Sequence, residues 1–252
     1  MKKTFFKVLY SSFYFALVTI SLFSCKKQTS QDTTDNPTKM ENDNKSTPMS
    51  TYQVNKIKQA NTDVPWESAI VLKNFSYPWE EDVPPSLSFR ALYDDDKFYF
   101  KYEVEDSRVL TYVDTNDKME VVNSERVEIF FQVDDKLETY YCLEMDPLAR
   151  VLDYKAAFYR KMTFDWEWPD DGIAVATKKT PNGYELEGSI TLQSLRDLGI
   201  LKVNSMHAGL YRGECVRLEG SNAELRWISW VDPKTPEPDF HVTSSFGVMV
   251  LD

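Results

Sequence analysis

The chain has 252 residues, a formal charge of −11 at pH 7 and a pI near 4.8. An acidic balance of that size argues against a nucleic-acid or anionic-membrane surface and leaves neutral ligands and cations open. With 42% hydrophobic and 14% aromatic residues there is ample material for a buried core, and the length left after the N-terminal segment suits one β-rich domain.

The first residues read as an address. "MKKTFFK" is a basic start, and residues 8–23 form an apolar stretch ending in "LFSC". That stretch falls short of the roughly 20 apolar residues a membrane span needs, so it reads as a secretory signal. Ser24 before Cys25 resembles the lipobox of bacterial lipoproteins, although Phe23 is bulkier than the usual residue there. The resemblance implies a signal over residues 1–25, acylation at Cys25, and an exported protein held on the outer membrane or cell surface by lipid rather than by a spanning helix. A plain signal peptide cut elsewhere is the alternative. Residues 26–50 have almost no apolar side chains and read as a disordered tether. Processing would remove Lys2, Lys3 and Lys7 but no acid, so the mature chain is more acidic still. Residues 51–252 remain as the folded domain.

From residue 86 the hydrophobic pattern has period two, which marks half-buried strands. "LSFRALY" puts Leu87, Phe89, Ala91 and Tyr93 on one face, and "FYFKYEV" does the same with Phe98, Phe100, Tyr102 and Val104. "ERVEIFFQV" buries Val127, Ile129, Phe131 and Val133, and "TYYCLEM" buries Tyr141, Leu143 and Met145. After "GIAVATKK", a turn at Pro181-Asn182-Gly183 leads into "YELEGSI", with Tyr184, Leu186 and Ile190 inward. "TLQSLRDLG" predicts one short helix with Leu192, Leu195 and Leu198 on one face and Gly199 as its stop. "HAGLYRGECVRL" and "SFGVMVL" predict the last strands. The predicted fold is all-β: an immunoglobulin-like or DOMON-like antiparallel β-sandwich with one short helix.

The alternate positions of these strands carry charge: Arg90, Lys101, Glu103, Arg126, Glu128, Glu144, Arg212 and Glu214. Such a set is either a solvated face of cross-strand ion pairs or a polar face that takes hydroxyls in bidentate fashion, and alternation does not separate the two. "YDDDK" between two strands offers hard oxygens of the kind calcium takes, although a three-Asp hairpin turn is more often only solvated. Cys142 and Cys215 lie in strand-like stretches, and sequence leaves open whether they pair.

"WISWVDPKTPEPDFHVTSSFG", residues 227–247, combines Trp227, Trp230 and Phe240 with Pro233, Pro236 and Pro238. Prolines at that density exclude a ladder or a helix interior, so Phe240, with Asp239 and His241 beside it, is expected on a stiffened irregular loop. Trp227 and Trp230 face opposite sides, with Trp230 expected in the core. Trp166 and Trp168 in "FDWEWP" are read as packing.

"VPWESA", "FRALYDDDKFYFKYEVEDSRV", "SERVEIFFQVDD", "GYELEGSITLQSL" and "WISWVDPKTPEPDFHVTSSFG", in that order, resemble family 9 carbohydrate-binding modules and their DOMON-like relatives over residues 60–252. The resemblance implies a sandwich that binds saccharide, often at chain ends, sometimes with structural calcium. It implies that a terminal sugar lies between two aromatic side chains while charged groups reach its hydroxyls. Glu128 in "VEIF" matches one such charged group, and Phe240 in "PDFH" matches one aromatic. The second aromatic is expected in "KMEVVNSE", which has none, and Trp79 in "SYPWEED" is the candidate replacement. The expected ligand-binding set is therefore Trp79, Arg90, Glu128, Glu144, Arg212, Asp239, Phe240 and His241. It would serve a non-catalytic module in polysaccharide utilisation, acting beside glycan-degrading enzymes.

Two other readings compete. Glu128 and Glu144 could form the carboxylate pair of a glycoside hydrolase, but Arg126 and Arg212 are expected to keep both ionised. A haem-binding DOMON-like domain would need axial ligands such as Met206, His207 or His241.

Overall fold

The computed structural model describes residues 49–59, 63–169 and 171–252. The expected signal peptide, Cys25 and nearly all of the expected tether lie outside the described residues. The domain is an all-β sandwich in one continuous strand path. Its strands are β1 (Thr51–Lys56), β2 (Leu87–Tyr93), β3 (Lys97–Glu105), β4 (Arg126–Gln132), β5 (Tyr140–Met145), β6 (Val151–Ala157), β7 (Lys161–Thr163), β8 (Ile173–Thr180), β9 (Gly183–Thr191), β10 (Ser205–Glu219), β11 (Asn222–Ser229) and β12 (Gly247–Leu251). One α-helix, α1 (Leu192–Asp197), follows β9, capped by the Thr191 side chain, which accepts from the Ser194 amide.

One sheet runs β7-β6-β5-β4-β10-β12-β1, with β11 paired to the outer half of β10; the other runs β1-β2-β3-β9-β8. The two share β1, which is parallel to both β12 and β2, so the sandwich is antiparallel everywhere except at this hinge strand. The interior between the sheets holds the periodic sets in the expected places. Leu87, Phe89, Ala91, Phe98, Phe100, Tyr102, Leu186 and Ile190 meet Val127, Ile129, Phe131, Leu143 and Met145. Trp230 and Trp168 join this core, and Trp166 packs against it. Cys142 and Cys215 are both buried and unpaired.

The first sheet is not solvated on its other side. Every residue of β4 and β5 is buried, because a second cluster covers the outer face: Val121, Phe130, Tyr140, Cys142, Leu152, Tyr154, Tyr211, Phe240 and Phe246. Two irregular segments make that cover. One is the 3-10 turn Lys118–Asn123, clamped by Arg150, whose guanidinium reaches Glu120 at 2.8 Å and Asp146 at 2.7 Å. The other is the proline-rich loop between β11 and β12. A loop laid over a sheet face removes water from the charged groups beneath it, and the site is built there.

Candidate functional site

Glu128 on β4 and Glu144 on β5 are direct cross-strand partners on the outer face of the first sheet. Both are buried, and both meet one nitrogen: Arg126 Nε lies 2.8 Å from Glu128 Oε1 and 2.7 Å from Glu144 Oε2. Arg126 Nη1 also donates to the Val122 carbonyl at 3.0 Å, which ties the floor to the 3-10 turn above it. Tyr154 Oη donates to Glu144 Oε1 at 2.9 Å. Burial, reinforced by the charge of Glu144, pushes the Glu128 carboxyl up to about 8 in spite of the guanidinium. Glu128 is therefore a neutral acid near pH 7, contrary to the expectation that Arg126 and Arg212 would keep it ionised.

Above this floor opens a cavity of about 310 Å³. One wall is Trp227 and Leu225 from β11, with the Trp227 ring 5.1 Å from the Arg126 guanidinium carbon in a cation–π contact. The opposite wall is Met162 and Phe164, from β7 and the residue just after it. Phe164 is 38% exposed and leans on Tyr154, 5.0 Å between ring centres. Arg160 and Asp239 stand at the rim, 3.7 Å apart.

The structure brings together five of the eight expected residues: Glu128, Glu144, Asp239, Phe240 and His241 all line the cavity. Their manner differs from the expectation for Phe240 and His241. Phe240 is only 6% exposed and lies flat on Tyr211, with centres 3.9 Å apart and planes 10° from parallel. Trp79 and Trp227 close over it at 5.4 and 5.7 Å. Phe240 is thus the plug that roots the loop, with an edge turned to the cavity. His241 is buried against Phe130, with Nδ1 2.9 Å from Tyr140 Oη. Burial, and then the nearby charge of Arg160, lowers it to about 4, so it stays neutral.

Three expected residues lie elsewhere. Trp79 sits behind Phe240, its Nε1 donating to the Thr235 carbonyl at 2.9 Å. Arg90 belongs to the other sheet, where it pairs with Glu103 beside a separate cavity. Arg212 points from β10 to the opposite side from Glu128: its cross-strand partner is Val127, while Glu128 faces Tyr211. There it is fully buried and bound to Glu125 and Asp106, each at 2.6 Å. Conversely, the aromatic walls Trp227 and Phe164, and the cation Arg126, were not singled out as ligand contacts. Where the resemblance places a second aromatic, the cavity has Val122.

In the "YDDDK" turn, Asp94 accepts from the amides of Asp96 and Lys97 and from Tyr99 Oη. Asp95 pairs with Lys56, and Asp96 accepts from Gln59. Among the described residues no cluster of three His, Cys, Asp or Glu is arranged to hold a metal ion. Met206 packs in the inter-sheet core, while His241 lies under the loop on the other face of the same sheet, so they cannot flank one iron. His207 opens to a separate small cavity.

The domain is thus an all-β sandwich with an aromatic-walled, carboxylate-floored cavity on one covered sheet face. The sequence profile described as "Carbohydrate family 9 binding domain-like" matches residues 57–252, and the chain belongs to that family. A search of curated protein sequences found no match. Among solved structures, one described as that of a "putative carbohydrate-binding protein" from Bacteroides uniformis ATCC 8492 shares the fold. It has a TM-score of 0.64 at 15% identity, covering 81% of this chain and 100% of that one. A family 9 carbohydrate-binding module from Caldicellulosiruptor kristjanssonii is also similar, in complexes with glucose and with cellotriose. Both matches have 18% identity and cover 81% of this chain; the TM-scores are 0.48 and 0.49, with 96% and 94% of those chains covered.

Proposed function

We propose that the cavity between Trp227 and Phe164 is a saccharide-binding site and that the domain binds glycan without cleaving it. The observation that carries this reading is the pairing of two partly exposed aromatic walls with a floor of mixed donors and acceptors. A pyranose ring has an apolar C–H face and a hydroxyl edge. Flat rings cover the face, while the carboxyl groups of Glu128 and Glu144 and the Arg126 guanidinium offer both donors and acceptors to the edge, which otherwise would lose its hydrogen bonds to water.

A specific observation favours hydrolysis as the second reading: Glu128 has the raised affinity for its proton that a general acid needs. Against it, the Arg126 guanidinium bridges Glu128 and Glu144, filling the gap where a scissile bond and a water or nucleophile would have to fit. Trp227→Ala tests the binding reading. Saccharide affinity measured by calorimetry is expected to weaken by about 1–3 kcal/mol, the contact value of an aromatic side chain. Unchanged affinity would refute the site, and sugar release that Glu128→Gln abolishes with folding intact would establish hydrolysis. The module is further proposed to act in polysaccharide utilisation as an exported lipoprotein anchored through Cys25, alongside enzymes that degrade the same glycan. The basic start, the apolar stretch ending in "LFSC" and the polar stretch after it support that placement.

A further inference from the structure

The cavity wall continues past its rim. At the tip of the β6–β7 hairpin, Phe158 and Tyr159 are each 52% exposed, with their rings edge to face at 5.4 Å. The hairpin tip is fixed to the body by the Phe158 amide, which donates to the Leu137 carbonyl at 2.8 Å. Tyr159 Oη donates to Asp239 Oδ2 at 2.8 Å, and both Asp239 and the next hairpin residue, Arg160, line the cavity. Two large rings therefore stand half in water, held in place, directly beside the cavity mouth.

We propose that Phe158 and Tyr159 form a second sugar subsite, taking the next residue of a linear oligosaccharide whose terminal ring fills the cavity. The inference rests on the cavity being a saccharide site and names its ligand class: an oligosaccharide in preference to a monosaccharide. At about 310 Å³ the cavity is at the small end of ligand sites, so a chain of several rings must leave through the mouth. The first surface it meets is this aromatic pair, which can cover a C–H face. Arg160, with 44% of its side chain exposed and its Asp239 contact at 3.7 Å, stands beside the pair with donors for a hydroxyl edge.

The test is calorimetric titration of the full chain in detergent with glucose, galactose, mannose and xylose, each paired with its β-1,4-linked trimer. For the sugar that binds, the trimer is expected to bind about tenfold tighter than the monomer, the worth of one aromatic contact. Phe158→Leu is expected to bring that ratio close to one while leaving monomer affinity unchanged. Tyr159→Leu should lower the ratio similarly, whereas Tyr159→Phe, which keeps the ring, should preserve it. A wild type without trimer preference, or a preference that survives both leucine variants, overturns the subsite. Trp227→Ala separates the two readings, because it should weaken monomer and trimer alike. If it has no effect while the leucine variants still lose the trimer, the cavity reading fails and the aromatic shelf stands. Absence of binding to every sugar in the panel overturns both.

Discussion

Replacing Phe240 by Ala distinguishes a ligand platform from a structural plug. The ring is 6% exposed, lies 3.9 Å from Tyr211 and is flanked by the rings of Trp79 and Trp227. Truncation would remove a buried aromatic from the second core and leave a void under the proline-rich loop. Core Phe→Ala changes cost about 3–5 kcal/mol, set by transfer and cavity terms. For a domain of this size each kcal/mol lowers the melting temperature by about 2–4 °C, so a fall of roughly 6–20 °C is expected. Because the loop also carries Asp239 and His241, saccharide binding should fall with it, even below the melting transition. Thermal unfolding followed by near-UV circular dichroism, with calorimetric titration at a temperature where both proteins are folded, provides both readouts. A Phe240→Ala protein that melts like the wild type yet loses the ligand would refute the plug, and would return Phe240 to the exposed platform that its proline-rich surroundings suggest.

Two other predictions follow from the buried carboxylate and the N-terminal segment. The Glu128 carboxyl is near 4.5 when unfolded and about 8 when folded, so the native state holds this proton more tightly. Its contribution to stability is full below pH 4.5 and lost as pH rises through 8. Glu128→Gln, which cannot ionise, should therefore show a smaller drop in melting temperature between pH 5 and 9 than the wild type, and equal drops would refute the neutral acid. Cys25→Ala is expected to move the protein from the membrane to the soluble fraction of fractionated cells. A wild type already fully soluble would count decisively against the lipid anchor.

The inner core was legible because only one periodicity fits it. Leu87, Phe89 and Ala91 alternate with Ser88 and Arg90, and a one-residue slip would have buried the arginine. The site was less legible because its strands are buried on both faces. In β4 the outward positions read Arg126, Glu128, Phe130, a mixture that a solvated face and a covered binding floor share. What separates them is the cover, which comes from the 3-10 turn at Lys118–Asn123 and from the loop after β11, segments with no periodicity to read. The same difficulty explains Arg212. Leu210, Tyr211 and Arg212 are consecutive, and a buried Tyr is as acceptable on either face as a paired Arg. Only the register of β10 against β4 decides, by setting Tyr211 opposite Glu128 and Arg212 opposite Val127. Phe240 follows the same logic, since stiffness of a loop does not by itself mean exposure of its side chains. Three prolines do hold the loop in one shape, but the shape they hold presses its aromatic onto Tyr211 and leaves the open walls to Trp227 and Phe164. Preorganisation of this site therefore comes from a loop rooted in a second hydrophobic core. That arrangement lowers the ordering cost of binding in the same way that a rigid platform would.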